Sequence, residues 1–274
     1  TKDWTLSLSF NTGKNYNKIL NAGNSAVTWQ DYIDGTLVSN GHAVNSFYSY
    51  KFDKLDSEGY PVFKDVNEKD EDGNAVVHSQ QEMFDRAFVY SGKREADLNG
   101  GFSAFLKYKN ISLNALFSFS FGSNIRLNDL YQSSGQNLPY PDQNMSSEFV
   151  DRWRVPGDEE RTNIPVLSDK SLAIRNSDVT YRIADNGWDM YNKSDLRVVS
   201  GSFLRCRSMS IRYDLKPEWL KPLYLKGASV SFDAGNVFVL KDKALKGRDP
   251  EQIGLGSRSI PPQRSYAVRI SLTL

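Results

Sequence analysis

The chain has 274 residues, 34 Lys and Arg against 33 Asp and Glu, a single cysteine (Cys206) and two histidines (His42 and His78). Core size is therefore not limiting. The balanced charge lacks the basic excess of a nucleic-acid binder, one thiol excludes an intrachain disulfide or a CxxC motif, and two histidines argue against a His-built metal site. No run of eighteen apolar residues could form a membrane helix. No signal peptide opens the sequence, and residue 1 is Thr, so the chain reads as a mature or truncated piece. Aromatics nevertheless reach 12% while mean hydropathy is −0.53. That combination suits a membrane β-barrel, in which only every second strand residue meets lipid.

In chain order, the first element is "WTLSLSFN", with Trp4, Leu6, Leu8 and Phe10 on one parity and Thr5, Ser7, Ser9 and Asn11 on the other. "SFYSYKFD" (Ser46–Asp53) reads as a second strand. "GFSAFLKYK" sets Phe102, Ala104, Leu106 and Tyr108 against Ser103, Phe105, Lys107 and Lys109. "ISLNALFSFSFG" sets Ile111, Leu113, Ala115, Phe117, Phe119 and Phe121 against Ser112, Asn114, Leu116, Ser118 and Ser120. "LYLKGASVSFDAGN" sets Ala228, Val230, Phe232 and Ala234 against Gly227, Ser229, Ser231, Asp233 and Gly235. The terminal "SYAVRISLTL" sets Tyr266, Val268, Ile270, Leu272 and Leu274 against Ser265, Ala267, Arg269, Ser271 and Thr273. Period two over such lengths means strand, not helix. The polar parity is rich in Ser, Gly, Asn and Thr, as in a crowded wet lumen, where a soluble sandwich would carry Lys and Glu. The expected lipid-facing residues are Trp4, Leu6, Leu8, Phe10, Ile111, Leu113, Phe117, Phe119, Val230, Phe232, Ile270 and Leu272. Ser112, Ser118, Ser120, Ser229 and Ser231 are expected to face the lumen.

Connections alternate between short and long. "YKN" makes a tight hairpin and "DLKPEWLKPL" a short Pro-marked turn, whereas about forty, seventy and twenty-five residues separate other strands. Outer-membrane barrels have this asymmetry, with short periplasmic turns and long external loops. About seven strands are too few to close a wide barrel, and open edges are not tolerated in lipid. The rest of the barrel is expected to come from further polypeptide.

"YSYKFDKLDSEGYPVFKD", "DRWRVPGDEERTNIP", "SGSFLRCRSMSIRYDLKPEWL", "FDAGNVFVLKDKALKGRDPE" and "PPQRSYAVRISLTL" occur in that order. Together they resemble the C-terminal region of SusC/RagA-type TonB-dependent transporters of Bacteroidetes outer membranes. The resemblance is spread over nearly the whole chain. It implies an all-β fold, a transmembrane antiparallel β-barrel of about 22 strands with long extracellular loops. Residues 1–274 would be its C-terminal part, without the plug and N-terminal strands. It also implies a multi-pass outer-membrane location and energy-coupled import of oligosaccharides or oligopeptides. The implied partners are a SusD-like surface lipoprotein, the TonB–ExbB–ExbD complex acting through the plug, the remaining barrel and plug polypeptide, and the lipid itself. No cofactor and no enzymatic chemistry are implied. Two residues depart from the family pattern: Leu274 stands where Phe is usual, and Cys206 where Leu is common. Tyr266, Leu272 and Leu274 would form the C-terminal assembly signal. The alternative from another class is a secreted, soluble β-rich binding or adhesion module.

Several motifs carry a sharper and a blander reading. "NEKDEDGN" (67–74) has part of a calcium-loop spacing, but Ser79 stands where an EF-hand needs Glu, and a solvated loop is the simpler reading. "SSEFVDRW" (146–153) reads as a short helix with a Ser cap, stopped by Pro156 and Gly157; Trp153 is either a sugar-stacking ring or a loop pin, and the pin is favoured. "YQSSGQNLPYPDQN" and "RIADNGWDMYNKSD" mix aromatics, amides and carboxylates, which suits hydroxyl-rich or peptide ligands. Tyr131, Tyr140, Asp142, Trp188, Asp189 and Tyr191 are the candidates there, for contact with either substrate or a lid protein. The pairs Asp158/Glu159 and Asp249/Glu251 sit beside arginines, so ion pairing, not glycoside hydrolysis, is the expectation. No hydrolase or phosphate-loop motif is present.

Overall fold

The computed structural model describes residues 3–23, 27–64, 70–72, 80–131, 144–167, 187–253 and 260–274. Its strands are β1 (Trp4–Lys14), β2 (Ser46–Tyr50), β3 (Phe52–Leu55), β4 (Pro61–Phe63), β5 (Phe88–Lys93), β6 (Leu98–Tyr108), β7 (Ile111–Phe121), β8 (Asn124–Arg126), β9 (Val198–Ser200), β10 (Phe203–Asp214), β11 (Gly227–Lys241) and β12 (Ser265–Thr273). The α-helices are short: α1 (Trp29–Asp34), α2 (Gln80–Ala87), α3 (Gly187–Asn192), α4 (Pro217–Leu220) and α5 (Pro250–Ile253). The chain divides into two compact units. A sheet unit comprises residues 1–16, 95–123 and 200–274, and a loop unit comprises 17–94 and 124–199.

The sheet unit is a six-stranded antiparallel sheet in the order β1-β6-β7-β10-β11-β12, so every strand neighbours the one that follows it in the sheet. Successive strands reverse direction. The connections 15–97, 122–202 and 242–264 therefore all leave one end of the sheet, and the connections 109–110 and 215–226 leave the other. The tight hairpin is a two-residue turn in which Lys109 takes a positive φ of 52°. β1 and β12 are the two edges.

Register decides whether alternation along single strands makes a continuous face, because directly paired residues project to the same side. One row runs Leu6, Leu106, Leu113, Ile211, Phe232, Val268, and another Phe10, Phe102, Phe117, Cys206, Phe238. The opposite side has the row Thr5, Lys107, Ser112, Arg212, Ser231, Arg269. All twelve residues expected to face lipid thus share one side of the sheet, and the five serines expected in the lumen share the other. Phe105 and Leu116 are apolar intrusions on the polar side. In β10 the apolar parity would change between Cys206 and Met209; a bulge between Cys206 and Ser208 absorbs Arg207 and restores it.

Most of the apolar side has no cover: Leu8 is 70% exposed and Ile270 67%. Phe119 is the exception among the expected lipid-facing residues. It is buried, and its ring stacks on those of Phe10 and Phe121. Gly100 makes room for this arrangement: a Cβ there would lie 2.1 Å from the Asn11 carbonyl oxygen and 2.9 Å from Cζ of Phe119.

The expected strand at Ser46–Asp53 is not part of this sheet, so the sheet has six strands where about seven were expected. Ser46–Tyr50 instead pairs with β5 in a separate two-stranded sheet, and all five of its residues are buried. Its mix of aromatic and small residues reflects burial on both sides, not one wet and one apolar side.

The loop unit encloses an aromatic core. Tyr32 of α1 stacks on Phe88 at 4.7 Å and meets Tyr48 edge-on at 5.5 Å. Trp188 of α3, 1% exposed, meets Tyr131, Tyr191 and Phe149 at 5.4–5.8 Å. α1 is terminated by Gly35 in the left-handed region, at φ 71°.

Candidate functional site

In the sheet unit residues 242–253 are tied to the polar side of β10. Asp242 caps a 3₁₀ turn by accepting from the Ala244 amide, and Leu245 of that turn is fully buried. Asp249 accepts from the Glu251 amide at the start of α5, which fixes its carboxylate in place. That carboxylate lies 2.6–2.7 Å from Nη2 of Arg205, and both residues are buried. Nε of Arg205 is 2.6 Å from Oε2 of Glu251, a charge contact off the N–H direction. Arg207, the extra residue of the bulge, also donates to Glu251, and its Nε donates to Ser118 Oγ at 2.8 Å. Nζ of Lys241 donates to the Arg248 carbonyl. Asp249 and Glu251 thus form the ion pairs expected of "RDPE", and their role is to hold the connection on the strand. Two arginines face two carboxylates, so the cluster is closed on itself.

Asp158 and Glu159 do something different. Asp158 accepts from the amides of Arg154 and Val155, and Glu159 accepts from the Gly157 amide and from the Trp153 indole at 2.9 Å. These bonds hold the Glu159 carboxyl below its ordinary pKa, the indole bond being the largest cause. Ion pairing was the expectation here, and turn-building replaces it. Trp153 is buried, and Gly59, at φ 81°, packs so closely on it that a Cβ would lie 2.4 Å from the ring. That is a loop pin. "SSEFVDRW" forms a 3₁₀ helix over Ser147–Asp151, with the Ser146 hydroxyl accepting from the Glu148 amide.

Of the contact candidates, Tyr131, Trp188 and Tyr191 are buried in the loop unit's core, where an expected ligand-facing ring gives way to packing; Asp189 on α3 is partly exposed. Tyr140 and Asp142 lie outside the described residues, as does most of "NEKDEDGN". Beneath α3, Arg197 Nη1 meets Glu148 at 2.8 Å and its Nη2 donates to the Asn128 carbonyl, all in a buried setting. Asn192 bridges the main chain of Leu130 and Tyr131. Burial pushes the Tyr191 hydroxyl up to about 12. This network fixes the described part of the "RIADNGWDMYNKSD" segment, residues 187–195, to the rest of the loop unit.

Two groups on the β2–β5 pair escape sequence reasoning. His42 stacks on the half-exposed Tyr90 at 4.3 Å and shares a hydrogen bond with the Tyr48 hydroxyl. Arg94 and Arg126 both lie over the Phe47 ring, at 4.6 and 5.4 Å from its centroid. Burial, then the Arg94 charge, lowers Arg126 to about 10. Only strand register brings these residues together, so no spacing in the sequence signals them. Among the described residues no cluster of His, Cys, Asp or Glu could hold a metal ion.

No known family profile matches the chain. Two curated proteins match along nearly all of it. TonB-dependent receptor P3 of Formosa agariphila is 24% identical over 307 positions, covering 99% of this chain and 27% of that protein. TonB-dependent receptor SusC of Bacteroides thetaiotaomicron is 26% identical over 288 positions, covering 99% and 25%. The chain therefore spans about a quarter of the length of the curated relatives it matches. Among solved structures, the RagAB peptide importer in its open-open state aligns with a TM-score of 0.63 and 20% identity, over 100% of this chain and 27% of that one. The closed-closed state aligns at 0.62 and 22%, over 99% and 28%. The fold is that of a sector of this antiparallel barrel.

Proposed function

We propose that this chain, a stretch of a SusC/RagA-type TonB-dependent receptor, contributes six adjoining strands to an outer-membrane barrel that imports oligosaccharides or oligopeptides. The observation carrying this reading is the register. It aligns the apolar parity of six strands into one continuous side, while all three long connections leave one end of the sheet. Such a side needs lipid, because among the described residues no second layer of the sheet unit covers it. A secreted soluble module would leave Leu6, Leu8, Phe10, Val268 and Ile270 open to water, each more than 60% exposed. The polar side then lines the lumen, with the Arg205–Asp249–Glu251–Arg207 cluster holding one long connection against it. The long connections are extracellular and face a SusD-like lipoprotein, while coupling to TonB–ExbB–ExbD runs through a plug.

The test pairs two neighbours in β11 within the whole protein. Phe232→Arg should cost about 2–4 kcal/mol of stability in lipid near the midplane, and Ser231→Gln, an uncharged polar side chain between Arg212 and Arg269 on the other side, close to nothing. Equal costs would overturn the assignment of faces. Cargo is separated by uptake: a strain lacking the protein should lose growth on one class of oligomer, glycan or peptide, and keep growth on its monomers.

A further inference from the structure

The short connection between β10 and β11 is more elaborate than a turn needs to be. Residues 215–226, "LKPEWLKPLYLK", form α4 followed by a 3₁₀ turn over Lys221–Leu223. Leu220 points inward and is buried, and the Leu225 amide bonds the Leu220 carbonyl. The Leu215 amide bonds Ala228, and the Lys226 amide bonds Thr273 at the end of β12. Two prolines, Pro217 and Pro222, stiffen what these bonds hold. On this rigid base Trp219, Leu223 and Tyr224 stand 54%, 64% and 92% exposed. Tyr224 also takes a left-handed backbone, φ 55°, which is uncommon for a bulky residue. Lys216, Lys221 and Lys226 surround them, against a single acid, Glu218.

We infer that this connection is an interfacial foot lying in the glycerophospholipid headgroup layer at the end of the barrel opposite the long loops. Two observations select lipid as the occupant. The first is continuity: the Trp219 ring lies 6.4 Å from that of Tyr213, which shares the apolar side of the sheet with Ile111 and Val230. Trp4 and Tyr108, in ring contact at 4.3 Å, extend the same aromatic border on β1 and β6. The second is charge. Aromatic rings and a leucine would sit at the boundary of the acyl chains, and three lysines at the level of the phosphates. The Lys216 ammonium, 5.9 Å from the Trp219 ring centroid, links the two levels. The inference rests on the membrane-spanning reading of the sheet, and its test separates the two.

The experiment uses the whole protein with Cys206→Ala, reconstituted in phosphatidylglycerol or phosphatidylcholine vesicles and bearing one nitroxide at Tyr224→Cys, Phe232→Cys or Lys243→Cys. Accessibility to oxygen and to a water-soluble nickel chelate is read by power saturation. The Tyr224 label should give an oxygen-to-nickel ratio above that of Lys243 and below that of Phe232. Replacing Lys216, Lys221 and Lys226 by Glu should lower that ratio in phosphatidylglycerol more than in phosphatidylcholine. A Tyr224 ratio equal to that of Lys243, with Phe232 still lipid-like, overturns the foot and leaves the barrel standing. A Phe232 ratio equal to that of Lys243 overturns the barrel reading itself. A lipid-like Tyr224 seen only in cell envelopes, and not in vesicles, assigns the surface to a protein partner and overturns the foot.

Discussion

The sheet unit and the loop unit use the same residue types in opposite ways. In the loop unit Trp188, Tyr50 and Met190 are at most 1% exposed, and aromatic rings meet one another face-to-edge around a closed core. In the sheet unit Leu8, Phe10, Val268 and Ile270 share a side that no described residue of that unit covers. Water drives the first arrangement, because burying apolar area there is favourable at roughly 25 cal/mol per Å². The second gains nothing from water and becomes stable only when an apolar solvent replaces it. One chain thus carries two elements whose stability depends on different media, and mutations should separate them.

The largest separation is expected from Trp188→Ala. Removing a fully buried indole costs about 3–5 kcal/mol, and the loss should stay within the loop unit. Hydrogen exchange in detergent should show β2, β5 and α3 unprotected while β6, β7 and β10 keep their protection. Loss of protection in both units would show that the sheet depends on the loop unit's core, and would end the comparison.

How much of this was legible follows from period. Five of the six long strands and their two faces could be read residue by residue, because alternation survives in the sequence whenever one side of a strand differs from the other; β10 entered only through its motif. The hairpin at Lys109 and the pinning role of Trp153 were also legible. The loop unit's core was not. Tyr32, Tyr50, Phe88, Tyr131, Phe149 and Trp188 come from separate segments with no shared spacing, and β2, buried throughout, reads like a membrane strand when seen alone. The bulge at Arg207 was hidden for a related reason. A parity change in "FLRCRSMSIRY" looks like noise until the pairings with both neighbours shift register between Cys206 and Ser208. In the candidate site, the ion pairs of "RDPE" were readable from composition, whereas the stacking of Arg94 and Arg126 on Phe47 required a strand pairing that no local pattern encodes.

The two units should also differ in alkali. Burial holds the Tyr191 hydroxyl at about 12 against an ordinary value of 10.0, and Tyr48 and Tyr131 are raised by burial as well. A raised tyrosine binds its proton more tightly in the folded state than in the unfolded one. Its contribution is therefore complete below pH 10, and is lost as pH rises from about 10 to 12. For Tyr191 this corresponds to about 3 kcal/mol. Denaturation of the loop unit, followed by tryptophan fluorescence, should show this alkaline loss, and Tyr191→Phe should remove most of it. An unchanged alkaline limb in the variant would assign the effect to other groups.

The smallest effect concerns the one cysteine, and it tests how cover arises within the sheet. Cys206 lies on the apolar side yet has no exposed surface. Its row neighbours are Phe117 and Phe238, whose rings approach to 6.3 Å, and its thiol points back to the Ser208 carbonyl at 3.7 Å. A small side chain between two large ones is covered from both flanks, while Leu8, on an edge strand with Ala104 as its only row partner, stays 70% exposed. Cover on this side thus comes from having a paired strand on both flanks: Phe10 and Val268, each on an edge with a single Phe as row partner, stay 66% and 69% exposed. Cys206→Ala removes only one sulfur from such a site and should cost about 1 kcal/mol. Reaction of the thiol with a water-soluble maleimide should be negligible in the folded protein and complete in denaturant. Phe117→Ala or Phe238→Ala should open the site to a small apolar thiol reagent without moving the strand register. Full labelling of the folded protein before either ring is removed would mean that the rings do not cover Cys206, and cover by flanking strands would fail at the residue where it is most sharply posed.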